Sequence, residues 1–230
     1  MMADKILFFD AGPVISLVMS RVAWILPELK KRFGGKFYIT PAVQLELVER
    51  PLSVKRYEFE ALQVMKFIRE GILEVYTNVP QKKVEELKTL ANSSFSIRGK
   101  SMDIIQSGEM ESVAAALQLN AAVVMDERTL RLFIENSPEL QGILEYRFSS
   151  KIQADKIKIK QFSASLQGIP IIRSTELVGV AYKMGLLDGF IPPGKDGKDT
   201  LLDSVLWATK YNGCAITEQE IEELKEYLMK

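Results

Sequence analysis

The sequence predicts a three-layer α/β fold, with a central parallel sheet of four or five strands flanked by helices. Three observations predict it. Short, wholly apolar runs recur at residues 6–9 and 121–125, the length of strands buried on both faces. Amphipathic stretches of helical period lie between the strand-like runs, so the order is strand, helix, strand, helices, strand, helix, helix, strand, helix. Both apolar runs end in an acid, Asp10 and Asp126. In open α/β sheets that carboxyl edge is where ligands bind.

Each element follows from local chemistry. Ile6, Leu7, Phe8 and Phe9 make the first strand, and Gly12-Pro13 turns the chain into a helix over 14–32, broken at Pro27. Gly34-Gly35 ends it. Phe37, Tyr38, Ile39 and Thr40 form the second strand. Thr40 and Pro41 suit the start of a helix over 42–49 that stops at Pro51. Tyr57, Leu62, Met65 and Ile68 mark a longer helix over 52–70, closed by Gly71. Residues 72–76 form the third strand and 81–91 a charged helix. Residues 92–100, with three serines and a glycine, read as a loop. Glu109 opens an apolar helix to Leu119, the strand 121–125 follows, and 127–135 returns to helix.

From about residue 137 the character changes. Lys156-Ile157-Lys158-Ile159-Lys160 alternates strictly, the pattern of a half-buried strand. Residues 168–173 form another strand, and the two pair as a hairpin through 163–167. Ser174-Thr175 caps a helix to Met184, and 189–199 is a Gly/Pro/Lys loop. Helices over 200–211 and 217–229 close the chain, the second opening with a capping box, Thr217 and Glu220. The expected organisation is a core over 1–136, an inserted segment with a β-hairpin over 137–173 and a helical extension over 174–230.

Composition narrows the chemistry. Among 230 residues, 30 Lys and Arg balance 30 Asp and Glu, so a nucleic-acid partner needs a local basic patch. The single Cys214 excludes an internal disulfide and a cysteine-based zinc site. There is no histidine, which excludes histidine bases, Ser-His-Asp triads and histidine metal ligands. A metal would rest on carboxylates, which favours Mg²⁺ or Mn²⁺. No apolar run approaches the roughly 20 residues of a spanning helix, and the first strand is too short for a signal peptide. The expectation is a cytoplasmic protein without membrane contact.

Four acids stand out by placement: Asp10 and Asp126 at strand ends, Glu46 in the helix after the second strand, and Glu109 in the first turn of the helix before the fourth. Glu111 and Glu127 are nearby reserves. Gathered carboxylates repel unless some stay protonated or a divalent cation enters. One or two such ions can activate water and stabilise a leaving oxygen, which suits phosphodiester hydrolysis. Plainer roles exist for each acid, because Asp after a strand is a common N-cap and Glu in a first turn complements the helix dipole.

The stretch Phe8-Phe9-Asp10-Ala11-Gly12-Pro13-Val14-Ile15-Ser16-Leu17 resembles the opening of a PIN domain. Pro41-Ala42-Val43-Gln44-Leu45-Glu46 resembles the second motif of that family, and Gly108-Glu109-Met110-Glu111-Ser112-Val113-Ala114 the Gly-Glu-x-Glu-Ala form of its third. Val124-Met125-Asp126-Glu127-Arg128 resembles its fourth. The likeness covers about residues 5–135. A fainter one at 177–187 resembles the carboxyl-terminal extension of a PIN-like subgroup of prokaryotic, VapC-related proteins.

The resemblance implies a Mg²⁺- or Mn²⁺-dependent ribonuclease, toxin-like in character. Asp10, Glu46, Glu109 and Asp126 would be its catalytic acids, and Asp10, Glu109 and Asp126 its metal ligands, with Glu127 as the alternative to Asp126. Ala11 and Gly12 replace the hydroxyl or amide residues often found after the first acid, so Ser16 would supply that contact. Expected partners are single-stranded or structured RNA, a protein partner such as an antitoxin, and a second copy of the chain. Lys156, Lys158 and Lys160 on the hairpin, and Arg128 and Arg131 after Asp126, are candidate phosphate contacts. Equally, lysines keep an edge strand soluble. The rival class is a PIN-fold module that binds RNA or protein without cutting. A haloacid-dehalogenase-type phosphatase also places Asp after its first strand, but it needs a second acid where Gly12 stands.

Overall fold

Phe8 and Phe9 are wholly buried on opposite faces of the first strand, and that pairing sets the layers of the computed structural model. It describes residues 5–230, and the side chains of all these but 134 and 135. In chain order the elements are β1 (Ile6–Phe9), α1 (Ala11–Met19), a 3₁₀ turn (Ala23–Ile25), α2 (Leu26–Phe33), β2 (Lys36–Ile39), α3 (Pro41–Gln44), a π turn (Leu45–Glu49), α4 (Arg50–Leu52), α5 (Glu58–Arg69), β3 (Glu74–Val75), α6 (Gln81–Asn92), β4 (Phe95–Ile97), β5 (Lys100–Ser101) and α7 (Ser107–Leu119). They continue with β6 (Ala122–Val124), α8 (Arg128–Glu135), α9 (Ser137–Phe148), β7 (Ile152–Ala154), α10 (Lys156–Ser165), β8 (Ile171–Ile172), α11 (Ser174–Lys183), α12 (Gly197–Tyr211) and α13 (Glu218–Met229).

Five strands form one parallel sheet in the order β3-β2-β1-β6-β8. Leu7, Phe9, Phe37, Ile39 and Val124 pack into one apolar cluster with α1, α2, α5, α11, α12 and α13. Phe8, Val123 and Met125 face the other, built with α6 to α10. The sheet is therefore covered on both faces, which is why its strands read as continuous apolar runs. The chain leaves β1 toward β2 and β3, then returns on the other side of β1 as β6. The gap between β1 and β6 is the topological switch point, where loops diverge and leave a crevice.

Among the described residues no single helix is long and apolar enough to cross a membrane. The bent pair Ala11–Met19 and Ala23–Phe33 meets that length only across a 114° bend, and its buried side chains belong to the core.

Several expected elements take a different form. The hairpin expected over 156–173 is absent from that place. Lys156 to Lys160 begin a helix, because Asp155 caps it by accepting from the backbone N–H groups of Ile157 and Lys158. Ile159 and Phe162 then fall on one buried face while Ile157 stays 72% exposed, so helical period overrides the alternation. The strand at Ile171–Ile172 joins the central sheet beside β6 instead.

A hairpin does occur where a loop was expected. β4 and β5 pair across Arg98 and Gly99, both at positive φ, as a two-residue turn of that type requires. β7 adds antiparallel to β4, giving a separate three-stranded sheet.

The helix expected over 14–32 is interrupted after Met19, where Arg21 takes a positive φ, and Pro27 lies in the first turn of α2 instead of breaking a helix. Pro51 does not stop the helix after β2. It sits in the first turn of α4, directly after the π turn, where a missing backbone donor is tolerated.

Candidate functional site

Asp10 follows β1 directly, and its backbone N–H donates to the Val124 carbonyl of β6 across the switch point (2.9 Å). Asp126 follows β6 two residues beyond that carbonyl. Parallel pairing of Phe9 with Val124 thus brings both acids to one end of the sheet. Glu46 arrives from the π turn, and Glu109 from the first turn of α7. Together with Glu127, Gln106, Gly12, Ile15 and Gly213 they line a cavity of about 210 Å³. All four expected acids and the reserve Glu127 meet there.

The acids differ in how much of their chemistry is already used. Asp10 occupies the N-cap position of α1 and is 7% exposed. Its side chain makes no well-formed capping hydrogen bond, although the Ala11 and Gly12 N–H groups stand close enough to favour its charge, and it lines the cavity. Burial pushes the Asp10 carboxyl up to about 6, against the pull of the Ala11 and Gly12 N–H groups and with the help of Glu46 and Asp126. Glu109 is pushed up to about 8, first by burial and then by Asp10, Glu127 and Glu46, while the Gln106 N–H lowers it. Its Oε2 accepts that N–H at 3.1 Å, so Glu109 does serve the capping box as well. Glu46 lies against the start of α7, since a Cβ placed on Gly108 would stand 3.7 Å from Glu46 Oε2.

Asp126 is held hard. Ser16 donates to its Oδ2 (2.7 Å), and Ser174 donates its hydroxyl to Oδ2 and its backbone N–H to Oδ1, both at 2.8 Å. A carboxylate offers about four acceptor positions, and three are taken here. Ser16 therefore serves Asp126 rather than Asp10. Gly213, at φ 132, closes the same corner: a Cβ there would lie 3.0 Å from the Ser16 hydroxyl. Beside it, burial and the Asp126 charge raise the Cys214 thiol to about 11, which keeps it a neutral packing group.

The remaining candidates are engaged elsewhere. Glu127 Oε1 caps α8 by accepting from Thr129 N–H (2.9 Å). Glu111 is outside the cavity lining and ties α7 to α3 by accepting from Ala42 N–H (3.1 Å). Arg128 pairs with Glu139, and Arg131 with Glu220, which Arg173 also holds. Lys156 and Lys160 lie one helical turn apart on α10, while Lys158 points elsewhere and its Nζ approaches the Ser93 carbonyl (3.4 Å). The single lysine face expected from a strand does not form.

Sequence reasoning missed Ser174 as the partner of Asp126. The signal present was Ser174-Thr175 ahead of a helix, which reads as a cap; contact with an acid 48 positions earlier depends on β8 lying beside β6.

Among the described residues no group of three or more Asp, Glu or Cys side chains stands in a geometry that would hold a metal ion. The cavity is an open acidic bowl at the N-terminal ends of α1 and α7, whose dipoles favour negative charge. Its chemistry suits a hard cation: the donors are all oxygen, two carboxyls are held above their usual range, and no Lys or Arg lines the wall. Asp10, Glu46, Glu109 and the remaining acceptor position of Asp126 could hold such an ion. Comparison with protein-family models, curated proteins and solved structures gives no match for this chain.

Proposed function

We propose that the protein is a Mg²⁺- or Mn²⁺-dependent endoribonuclease of PIN-like type, hydrolysing phosphodiester bonds of single-stranded RNA. The observation that supports it is the convergence of Asp10, Glu46, Glu109, Asp126 and Glu127 in one cavity at the sheet's switch point. Gathering these carboxyls in a buried ligand edge is costly for the fold alone, and burial first, then the neighbouring acids, raises Asp10 and Glu109. A divalent ion bound there would supply Lewis-acid polarisation of the phosphate and a more acidic water.

The chain's own groups perform the rest. Asp10, Glu46 and Glu109 would balance the ion's charge, and Ser16 and Ser174 fix the Asp126 carboxylate in place. Burial holds the Glu109 carboxyl up at about 8, so the empty site carries less charge than its count of acids. A protein partner of antitoxin type and a homodimer belong to the same proposal.

The experiment is cleavage of a labelled single-stranded RNA with Mn²⁺ by wild type and Asp10→Asn. Loss of at least ~100-fold in the variant is expected, the size of removing a principal electrostatic group; full activity in Asp10→Asn would overturn the catalytic role. A second reading, an RNA- or protein-binding module that does not cut, draws on Asp126 having three acceptor positions occupied by its own chain. Absence of Mn²⁺-dependent cleavage together with retained RNA affinity would select it.

A further inference from the structure

A second cavity, about 490 Å³, opens beside the acidic one and shares Ile15, Glu46 and Gly213 with it. Its volume falls in the roughly 300–1,000 Å³ range of small-molecule sites. Apart from Glu46 and Glu60, its wall is mostly apolar, from α1, the π turn, α5 and the end of α12, with Tyr57 and Tyr211 among the lining side chains. Tyr211 is 77% exposed and stacks on Trp207 (5.5 Å between ring centres), and Lys210 lies 4.8 Å over the Trp207 ring. Arg56 lies 5.4 Å from the Tyr57 ring. Exposed aromatics with cations beside them are the surface on which nucleobases stack while phosphates stay close.

The same wall carries Glu60, whose Oε2 is buried with no hydrogen-bond partner. A buried carboxylate oxygen left unpaired is costly unless a donor arrives. An ionised carboxylate only accepts, so it selects base edges that donate. Adenine and cytosine each set one amino group beside a ring-nitrogen acceptor, which a second carboxylate oxygen repels. Uracil sets one N–H between two carbonyls. Guanine alone offers two adjacent donors, N1–H and the N2 amino group, so it is the base that satisfies both oxygens of a carboxylate once these turn to the cavity.

We infer that this cavity is a base-recognition subsite for guanine, seating the nucleotide next to the phosphate held at the acidic cavity, with Glu60 reading the base edge and Tyr57 and Tyr211 stacking. The inference rests on the proposed RNA-cutting role of the neighbouring acids. Its test reads binding alone.

Calorimetry with guanosine, adenosine, cytidine and uridine monophosphates, and with uridine pentanucleotides carrying one central guanine, adenine or cytosine, is run with metal chelated so that nothing is cut. Guanine should be favoured by about tenfold, the low end of a good bidentate base contact. Glu60→Gln should cut the preference to under about threefold by replacing one acceptor with a donor. Tyr211→Ala should weaken all bases alike by about tenfold, and melting curves of both variants show whether they fold. If Glu60→Gln does not fold, Glu60→Asp, with its carboxylate drawn back, should blunt the preference in its place.

Equal binding of the four bases, or a guanine preference untouched by the Glu60 change in a folded variant, overturns the inference. Tight guanosine monophosphate with no preference among pentanucleotides would instead make this a free-nucleotide site, which also overturns it. Failure of Mn²⁺-dependent cleavage leaves these readings unaffected, so the two proposals fail separately.

Discussion

Replacing Asp10 with Asn should stabilise the apo protein, and by an amount that depends on pH. The Asp10 carboxyl titrates near 6 in the fold against 3.8 for an ordinary Asp. At ~1.4 kcal/mol per pH unit, ionising it in place costs about 3 kcal/mol more than in the unfolded chain. The sign follows from proton binding. Between pH 3.8 and 6 the folded state holds the proton that the unfolded state has already lost, so stability falls as pH rises through that window. At pH 4 the unfolded Asp is only about half ionised and little of the penalty has developed, so wild type and Asp10→Asn should melt within about a degree or two of each other.

Above pH 7 the full penalty is present in wild type and absent in the variant. For a chain of this length ~1 kcal/mol corresponds to roughly 2–4 °C, so the variant should melt higher by up to ~6–12 °C. Removing the Asp10 charge also relieves Glu109, which Asp10 helps to raise, and this adds to the gain. Thermal unfolding by circular dichroism from pH 4 to 8, in chelator, measures the difference. Equal melting temperatures at pH 7.5, or a gap that does not change between pH 4 and 7.5, would refute the reasoning that burial and neighbouring acids strain this carboxyl.

Three further outcomes follow from the same geometry. Millimolar Mg²⁺ or Mn²⁺ should raise the wild-type melting temperature, since an ion held only by the folded acids stabilises by mass action, ~2.7 kcal/mol at a hundredfold excess over Kd; the rise should shrink in Asp10→Asn and Glu109→Gln, and its absence in wild type would count against a metal site. Ser174→Ala leaves the backbone donor to Asp126 but removes the hydroxyl, and should cost about 1–3 kcal/mol by urea unfolding, with Ser16→Ala non-additive because both donate to the same oxygen; strict additivity would deny the shared clamp. Burial works the other way, but hydrogen bonds from Arg131, Thr217 and Arg173 hold Glu220 down at about 2, so Glu220→Gln should lower the melting temperature above pH 5 and the deficit should fade as pH falls from 4.5 toward 2; a deficit constant across that range would show that charge is not its source.

By itself the sequence carried the alternation of elements, the buried strands ending in Asp10 and Asp126, and the chemistry left when histidine is absent and cysteine is single. These are local facts: a run of four apolar residues has few other places to go than a sheet covered on both faces. It also carried the candidate acids, because each stands at the end or start of an element. Whether they meet was decided by strand order. β6 lies next to β1 and not beyond β3, and that placement joins Asp126 to Asp10 and lets β8 deliver Ser174.

Tertiary contacts also decided the elements that were misread. Lys156-Ile157-Lys158-Ile159-Lys160 fits a strand by alternation and a helix by its Asp155 cap, and only the buried slot for Ile159 and Phe162 chooses between them. Arg128 and Arg131 read as free cations after a strand end, but Glu139 and Glu220 reach them from helices formed later in the chain. The cavity of Glu60, Tyr57 and Tyr211 left no trace in the sequence, because its walls come from segments some 150 residues apart, and side chains that distant share a surface only when the fold brings them together.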